Sequence, residues 1–181
     1  MLAQILALLL GTATSLITLA CLLRIWMQWL RAPFGNPVGQ FVVTFTNWAV
    51  LPLRRLVPGL FGLDLASVLA AWLAQCVYFF VMASLAGVDI LAWGGFFALV
   101  WTATLALLKL FVYLLMGIVI LAAILSWIAP YAPASPLFYA LAAPLLQPAR
   151  RLVPVIGGLD FAPLIVVLLL QVVLIVLENL R

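Results

Sequence analysis

The chain has 181 residues, of which 70% are apolar and 7% charged, and its mean hydropathy is +1.41. A soluble domain carries about 25% charged residues, so this composition excludes a water-soluble fold and favours a membrane protein. The formal net charge is +4 and there is no histidine, which removes the commonest haem, zinc and copper ligand and the usual acid–base group near neutral pH. Cys21 and Cys76 lie in separate apolar runs and are predicted to be small buried hydrophobic residues.

The first of four apolar stretches covers residues 2–30 and is long enough to cross a bilayer. No Lys or Arg precedes its apolar run, so it is predicted to be a retained helix rather than a cleaved signal. A basic stripe flanked by tryptophans marks its C-terminal end: Arg24, Gln28 and Arg31, with Trp26 and Trp29 beside them. This pattern is typical of an interfacial end, where basic side chains reach the headgroups and tryptophans form a belt.

The other spans are predicted over residues 65–86, 93–129 and 163–180. The third is long, because nothing stronger than Lys109 interrupts the apolar run from Ile90 to Ile128. As one helix that run would measure about 58 Å, roughly twice the hydrocarbon thickness. Either one long helix protrudes from the membrane, or Gly94–Gly95 or Gly117 breaks it; one principal crossing is favoured.

Two segments between spans, residues 31–64 and 130–162, are too polar and too rich in proline to cross. Each contains a short apolar run, GQFVVTFTNWAVL in the first and LFYALAAPLL in the second. These runs are predicted to form interfacial or re-entrant helices, or to pack against the other helices. The predicted fold is therefore an all-α membrane protein with about four transmembrane helices and short helices in two basic loops.

The segment PLRRLVPGLFGLDLAS, which begins at Pro52, returns as PARRLVPVIGGLDFAP from Pro148. The offset is 96 residues here and 98–99 upstream, where Trp29 matches Trp127. Each unit is span, basic loop, span, so two repeats are predicted, at residues 1–88 and 89–181. Two crossings per unit return the chain to its original side, which makes the repeats parallel rather than inverted.

The arginines of both loops contrast with the linker near Asp89, which has no Lys or Arg. By the positive-inside rule, both basic loops are predicted to be cytoplasmic and both termini to face outward. Two arginine pairs, Arg54–Arg55 and Arg150–Arg151, lie between prolines that fix φ and are expected to discourage a continuous helix. These side chains either contact a specific lipid phosphate or partner carboxylate, or only orient the protein against anionic headgroups.

Other polar residues recur once per repeat. Asp64 and Asp160 precede their spans, where each could cap the helix or pair with an arginine of its own or the other repeat. Gln75 and Gln171 follow eleven residues later on the same helix face, near the bilayer middle, and either hydrogen-bond between helices or line a pathway. Lys109 has no counterpart in the first repeat and is a functional candidate, a helix-end marker or a snorkelling residue.

Several kinds of site are missing from the sequence. It has no glycine-rich phosphate loop, no repeated pairing of nucleophile and base, and too few acidic residues for a metal cluster or a carboxylate dyad. We therefore predict no enzymatic activity, no cofactor and no metal site.

The segments LLRIWMQW with NP and PLRRLVP, and AILSWI with PLLQPARRLVPVIGGLDFAPLIVVLLLQ, closely resemble the YggT family, called YlmG in some lineages. The resemblance covers nearly the whole chain, and the second copy is the more typical. In the first copy, Ser67 stands where the second has Pro163. The family resemblance implies a bacterial inner-membrane protein and links to osmotic stress tolerance, to division and nucleoid organisation and, in plastids, to haem attachment during cytochrome maturation. Direct haem ligation would lack an evident axial ligand here.

These observations together predict a non-catalytic assembly or organising factor. Its expected partners are anionic lipid headgroups and other membrane proteins or itself, with no direct nucleic-acid contact and no identified small-molecule substrate. The alternative is a subunit of an ion or osmolyte channel or transporter, with Gln75, Gln171 and Lys109 facing the pathway. That alternative fails if both glutamines are sealed between packed helices.

Overall fold

The computed structural model describes residues 1–55, 57, 64–88, 94–152 and 160–180. Within these ranges the chain forms six α-helices and no strand. The helices are α1 (Leu2–Trp29), α2 (Pro37–Arg54), α3 (Leu65–Leu85), α4 (Gly95–Ile128), α5 (Ser135–Leu152) and α6 (Ala162–Asn179). Helices α1, α3, α4 and α6 are long and apolar enough to cross a membrane, so the predicted four-span all-α fold is confirmed.

Parts of the repeated motif and of the linker lie outside the described residues. These are Leu56, residues 58–63 with their Gly62 and Leu63, residues 153–159, and the linker from Asp89 to Trp93. The arginine, aspartate, glutamine and lysine candidates all fall within the described ranges.

Each repeat pairs two spans and lays a shorter helix across them. Helix α1 packs on α3 and α4 packs on α6, while α2 contacts α1 and α3, and α5 contacts α4 and α6. Helix α4 also contacts α1 and α3 and is therefore the central helix of the bundle. One buried cluster joins Cys21 and Val50 to alanines of α3, and a larger one joins the end of α1 to α4, α5 and α6.

Helices α2 and α5 are longer than predicted, at 18 residues each. Pro52 lies inside α2, and Pro144 and Pro148 lie inside α5. Helix α2 ends at Arg54 and α5 at Leu152, within the segments that prolines bound, while Pro58 and Pro154 lie outside the described residues. Each proline removes one backbone hydrogen bond. Packing compensates for this loss, because Val50 is fully buried and Leu146 only 4% exposed beside the prolines.

The start of α2 is set by local chemistry. The Asn36 side chain caps the helix by accepting the Gly39 N–H at 2.8 Å, and Pro37 occupies the first turn, where its missing N–H has no helical partner. A Cβ at Gly39 would lie 2.8 Å from the Phe34 Cα, so only glycine fits at that position.

Helix α4 is continuous over 34 residues, about 51 Å. Gly94 precedes it with a φ of 87°, a conformation that favours glycine, and Gly117 lies within the helix without interrupting it. The long apolar run is thus one helix that exceeds the thickness of the hydrocarbon layer by roughly 20 Å.

The sequence predicts that Trp26 and Trp29 form an interfacial belt, but Trp26 is buried inside the bundle. Its side chain is 5% exposed, and its Nε1 donates to the Leu141 carbonyl of α5 at 3.1 Å. Its ring meets Trp29 and Phe111 edge to face, with centroids 5.0 and 5.6 Å apart. The prediction fails because α5, which follows Trp26 by more than a hundred residues, offers an acceptor inside the bundle.

Candidate functional site

In each repeat the end of the shorter helix meets the start of the next span at an aspartate. The first site consists of Arg24, Arg54, Asp64 and Ser67, and the second of Arg150 and Asp160. The structure thus brings Arg54 together with Asp64, and Arg150 together with Asp160, each pair within its own repeat.

The first site surrounds one carboxylate oxygen with donors. The Asp64 Oδ2 accepts from the Arg54 Nε at 3.0 Å and Nη2 at 2.5 Å, and from the Ser67 hydroxyl at 2.9 Å. The Arg24 Nε lies 3.6 Å from the same oxygen. The side chains of Asp64 and Arg24 are 5% and 4% exposed, so this ion pair is buried. The Asp64 side chain makes no hydrogen bond to the backbone of α3, so pairing takes the place of capping here.

Arg24 does not reach the headgroups, contrary to the sequence prediction. Its Nη1 donates to the Thr46 hydroxyl at 2.7 Å and to the Asn47 side-chain oxygen at 3.0 Å. Its Nε is buried without a hydrogen bond among the described residues. Burial is tolerated because two side chains of α2 accept hydrogen bonds in place of water and phosphate, and the Asp64 carboxylate supplies a counter-charge.

The same arginines control the titration of Asp64. Burial alone raises the pKa of this carboxyl, but hydrogen bonds from Arg54 and Ser67 and the charges of Arg54 and Arg24 hold the pKa below its usual range. The hydrogen bond to Asp64 in turn raises the pKa of Arg54. Asp64 is therefore a carboxylate in the folded protein.

We expect this carboxylate to make the folded state sensitive to acid. Since the folded pKa of Asp64 lies below the unfolded value of about 3.9, its contribution is complete above that pH and is lost as pH falls through the folded pKa. Unfolding measured between pH 7 and pH 2 should show this loss in the wild type and in D160N, and a shallower profile in D64N. An unchanged acid profile in D64N would contradict the assignment.

The second site is more open. The Asp160 Oδ2 accepts from the Arg150 Nε at 2.8 Å and lies 2.7 Å from its Nη2, while Oδ1 accepts the Ala162 N–H at 3.0 Å. The side chains of Arg150 and Asp160 are 54% and 25% exposed. Asp160 therefore both pairs with arginine and bonds the first turn of α6.

The two arginine pairs are split in the structure. All four side chains are exposed, but Arg54 and Arg150 pair with the aspartates, whereas Arg55 and Arg151 form no ion pair with any described residue. Arg54 and Arg150 hold the helix ends together, and Arg55 and Arg151 remain available for contacts beyond the chain.

The three intramembrane polar candidates lie in different surroundings. Gln75 is 4% exposed and its Nε2 donates to the Thr18 hydroxyl of α1 at 2.9 Å. Gln171 is exposed on α6, and Lys109 is half-buried in a cleft with Phe79 of α3. The structure therefore seals Gln75 between helices but does not seal Gln171, and the equivalent positions of the two repeats differ.

Sequence reasoning missed Thr46, Asn47 and the role of Arg24. The available signal was a charged residue near the end of a predicted span, followed by two adjacent polar residues inside an apolar run of the loop. Among the residues that the structure describes, no group of three His, Cys, Asp or Glu side chains could hold a metal ion.

The sequence profile of the CCB3/YggT family matches the chain twice, at residues 3–85 and 101–181. The Uncharacterized protein YggT of Escherichia coli K12 is 40% identical over 167 residues, covering 91% of this chain and 85% of that protein. The Uncharacterized protein PA0392 of Pseudomonas aeruginosa is 40% identical over 176 residues, covering 94% and 87%. No solved structure matches the chain.

Proposed function

The chain belongs to the CCB3/YggT family, and on that premise we propose that it is a non-catalytic membrane protein that organises or assembles other membrane components by contact. Arg55 and Arg151 form the proposed contact surface. We place the protein in the bacterial inner membrane, with both arginines on the cytoplasmic side, as the charge asymmetry of the loops favours.

The observation that carries this proposal is the split of each arginine pair. Because Arg54 and Arg150 hold the aspartates, they fix the chain position of their neighbours at the end of a packed helix. Each neighbour is exposed and presents a planar fork that suits a phosphate or a carboxylate. An arginine near an anionic membrane surface contributes about 1 kcal/mol. Two such residues suit a contact with anionic lipid or with an acidic segment of a partner membrane protein.

Contact of this kind is compatible with the processes that the family resemblance implies, since stress tolerance, division and cofactor assembly all need membrane components brought together. A pathway for ions or osmolytes is the alternative. The separate surroundings of Gln75, Gln171 and Lys109 give it no specific support.

We expect R55Q/R151Q to lose binding while the fold is kept. Affinity for vesicles containing anionic lipid should fall about thirtyfold, from two contacts of about 1 kcal/mol each. A partner recovered by crosslinking from native membranes should be lost as well. Flotation of the purified protein with vesicles and comparative pull-down measure the two effects.

R54Q/R150Q is the matched control, because it removes the same charge from the arginines that pair with the aspartates. It should lower stability and keep more of the binding. R55K/R151K keeps the positive charges that orient the protein but removes the planar guanidinium groups, so it tests whether binding needs the guanidinium geometry or only the charge. Cysteine accessibility must show the same orientation in every variant. Unchanged lipid binding and an unchanged crosslinking profile in R55Q/R151Q would contradict the proposal.

A further inference from the structure

The second repeat lacks the buried arginine of the first. With the offset that matches Trp29 to Trp127, Arg24 corresponds to Ala122. With the offset that matches the arginine pairs, its acceptors Thr46 and Asn47 correspond to Ala142 and Ala143. The aspartate and its pairing arginine are retained, whereas the second cation and its acceptors are replaced together by alanine.

A cavity of about 190 Å³ occupies this place in the second repeat. Its lining includes Ala122, Ser126, Trp127, Tyr139, Arg150 and Asp160. Pro163, the counterpart of Ser67, also lines it, so Asp160 lacks the hydroxyl donor that Asp64 has. The cavity thus lies against the counterparts of Arg24, Arg54, Asp64 and Ser67, with a carboxylate still on its wall.

The first site shows that one aspartate of this geometry carries two guanidinium groups, one bonded at 2.5 Å and one at 3.6 Å. Within the described ranges, Asp160 carries one, from Arg150. A carboxylate can accept about four hydrogen bonds, and Asp160 uses three, from two Arg150 nitrogens and the Ala162 N–H. The first site has two guanidinium groups and one carboxylate, and the second has one of each. A further cation would therefore give the second site the net charge of the first.

The walls of the cavity suit a planar cation. Trp127 and Tyr139 offer aromatic rings, which attract guanidinium groups by cation–π contact, and Ser126 adds a hydroxyl acceptor. An apolar cavity of about 150 Å³ holds one benzene, so 190 Å³ holds a guanidinium group on a short apolar stem.

We infer that this cavity is a binding site for a small organic cation that carries a guanidinium group, which takes the place that Arg24 occupies in the first repeat. The site is separate from the proposed contact surface of Arg55 and Arg151 and does not depend on it.

The test uses the full chain in nanodiscs of zwitterionic lipid, with n-butylguanidinium as the probe and N-butylurea as its neutral isostere. Butylguanidinium should raise the thermal unfolding temperature saturably, and butylurea should not. D160N should weaken the affinity about tenfold, since a charged hydrogen-bond partner is lost. A122R and A122M should abolish the shift by filling the cavity, with and without a charge.

The matched control is Y131R, which adds the same charge at a residue that is 98% exposed and does not line the cavity. It should keep the full response, and each variant's own unfolding temperature reports whether it folds. Equal shifts with butylurea, or a shift that persists in both A122R and A122M, would overturn the assignment. A response to anionic lipid alone, lost in A122M, would also overturn it and identify the cavity as a lipid site.

Discussion

Replacing Asp64 with asparagine should lower the free energy of unfolding by about 3–5 kcal/mol, the usual cost of removing one partner from a buried ion pair. Arg24 is 4% exposed, and its Nε has no hydrogen bond within the described chain. The Asp64 carboxylate, 3.6 Å away, supplies the counter-charge for this buried group. Without that charge, a buried guanidinium remains with only the neutral acceptors of α2. Unfolding in mixed micelles, followed by helical circular dichroism, measures the change.

D160N provides the same chemical change in the second repeat. Its pair is partly exposed, at 54% and 25%, so the expected loss is about 1 kcal/mol or less. The difference between the two variants isolates the effect of burial from that of the substitution. Equal losses of unfolding free energy in D64N and D160N would show that the buried charge of Arg24 does not need the Asp64 carboxylate.

The second large effect is expected from W26A, at about 3 kcal/mol. Lipid chains accept apolar side chains readily, so most of the cost comes from the packing that is left empty and from the lost hydrogen bond to Leu141. W26F keeps most of the ring volume and removes the donor, so it should cost about 1 kcal/mol. The same unfolding measurement compares the two.

W29A is the matched control, because Trp29 neighbours Trp26 and is 60% exposed. Its loss should stay below about 1 kcal/mol, as for other surface substitutions. A cost for W29A equal to that of W26A would mean that the belt, and not the contact with α5, stabilises this end of α1.

The spans could be predicted because apolar stretches of about 20 residues with few charges have the bilayer as their natural solvent. The predicted span over residues 65–86 is observed at Leu65–Leu85, and that over 93–129 at Gly95–Ile128. Helices α2 and α5 were predicted too short, because local rules give proline a cost but do not register the tertiary packing that offsets it.

The candidate site was predictable only in part. The recurrence of the arginine pairs and aspartates pointed to both sites, since both members of each pair repeat in the sequence. The burial of Arg24 could not be predicted from the repeat, because its counterpart is Ala122. Its acceptors Thr46 and Asn47 belong to another helix, and only the folded chain brings them to it.

The contact of Trp26 with α5 bears on how the two halves evolved. The first half donates a hydrogen bond from Trp26 to the Leu141 carbonyl of the second half. The counterpart of Trp26 in the second half is Ile124, which has no side-chain N–H, so the second half cannot donate the equivalent bond to the first. Two identical copies packed about a two-fold axis would make such contacts reciprocal, as a symmetric dimer does. After duplication, the two halves have thus become complementary and non-interchangeable: one supplies the donor, and the other supplies the surface that accepts it.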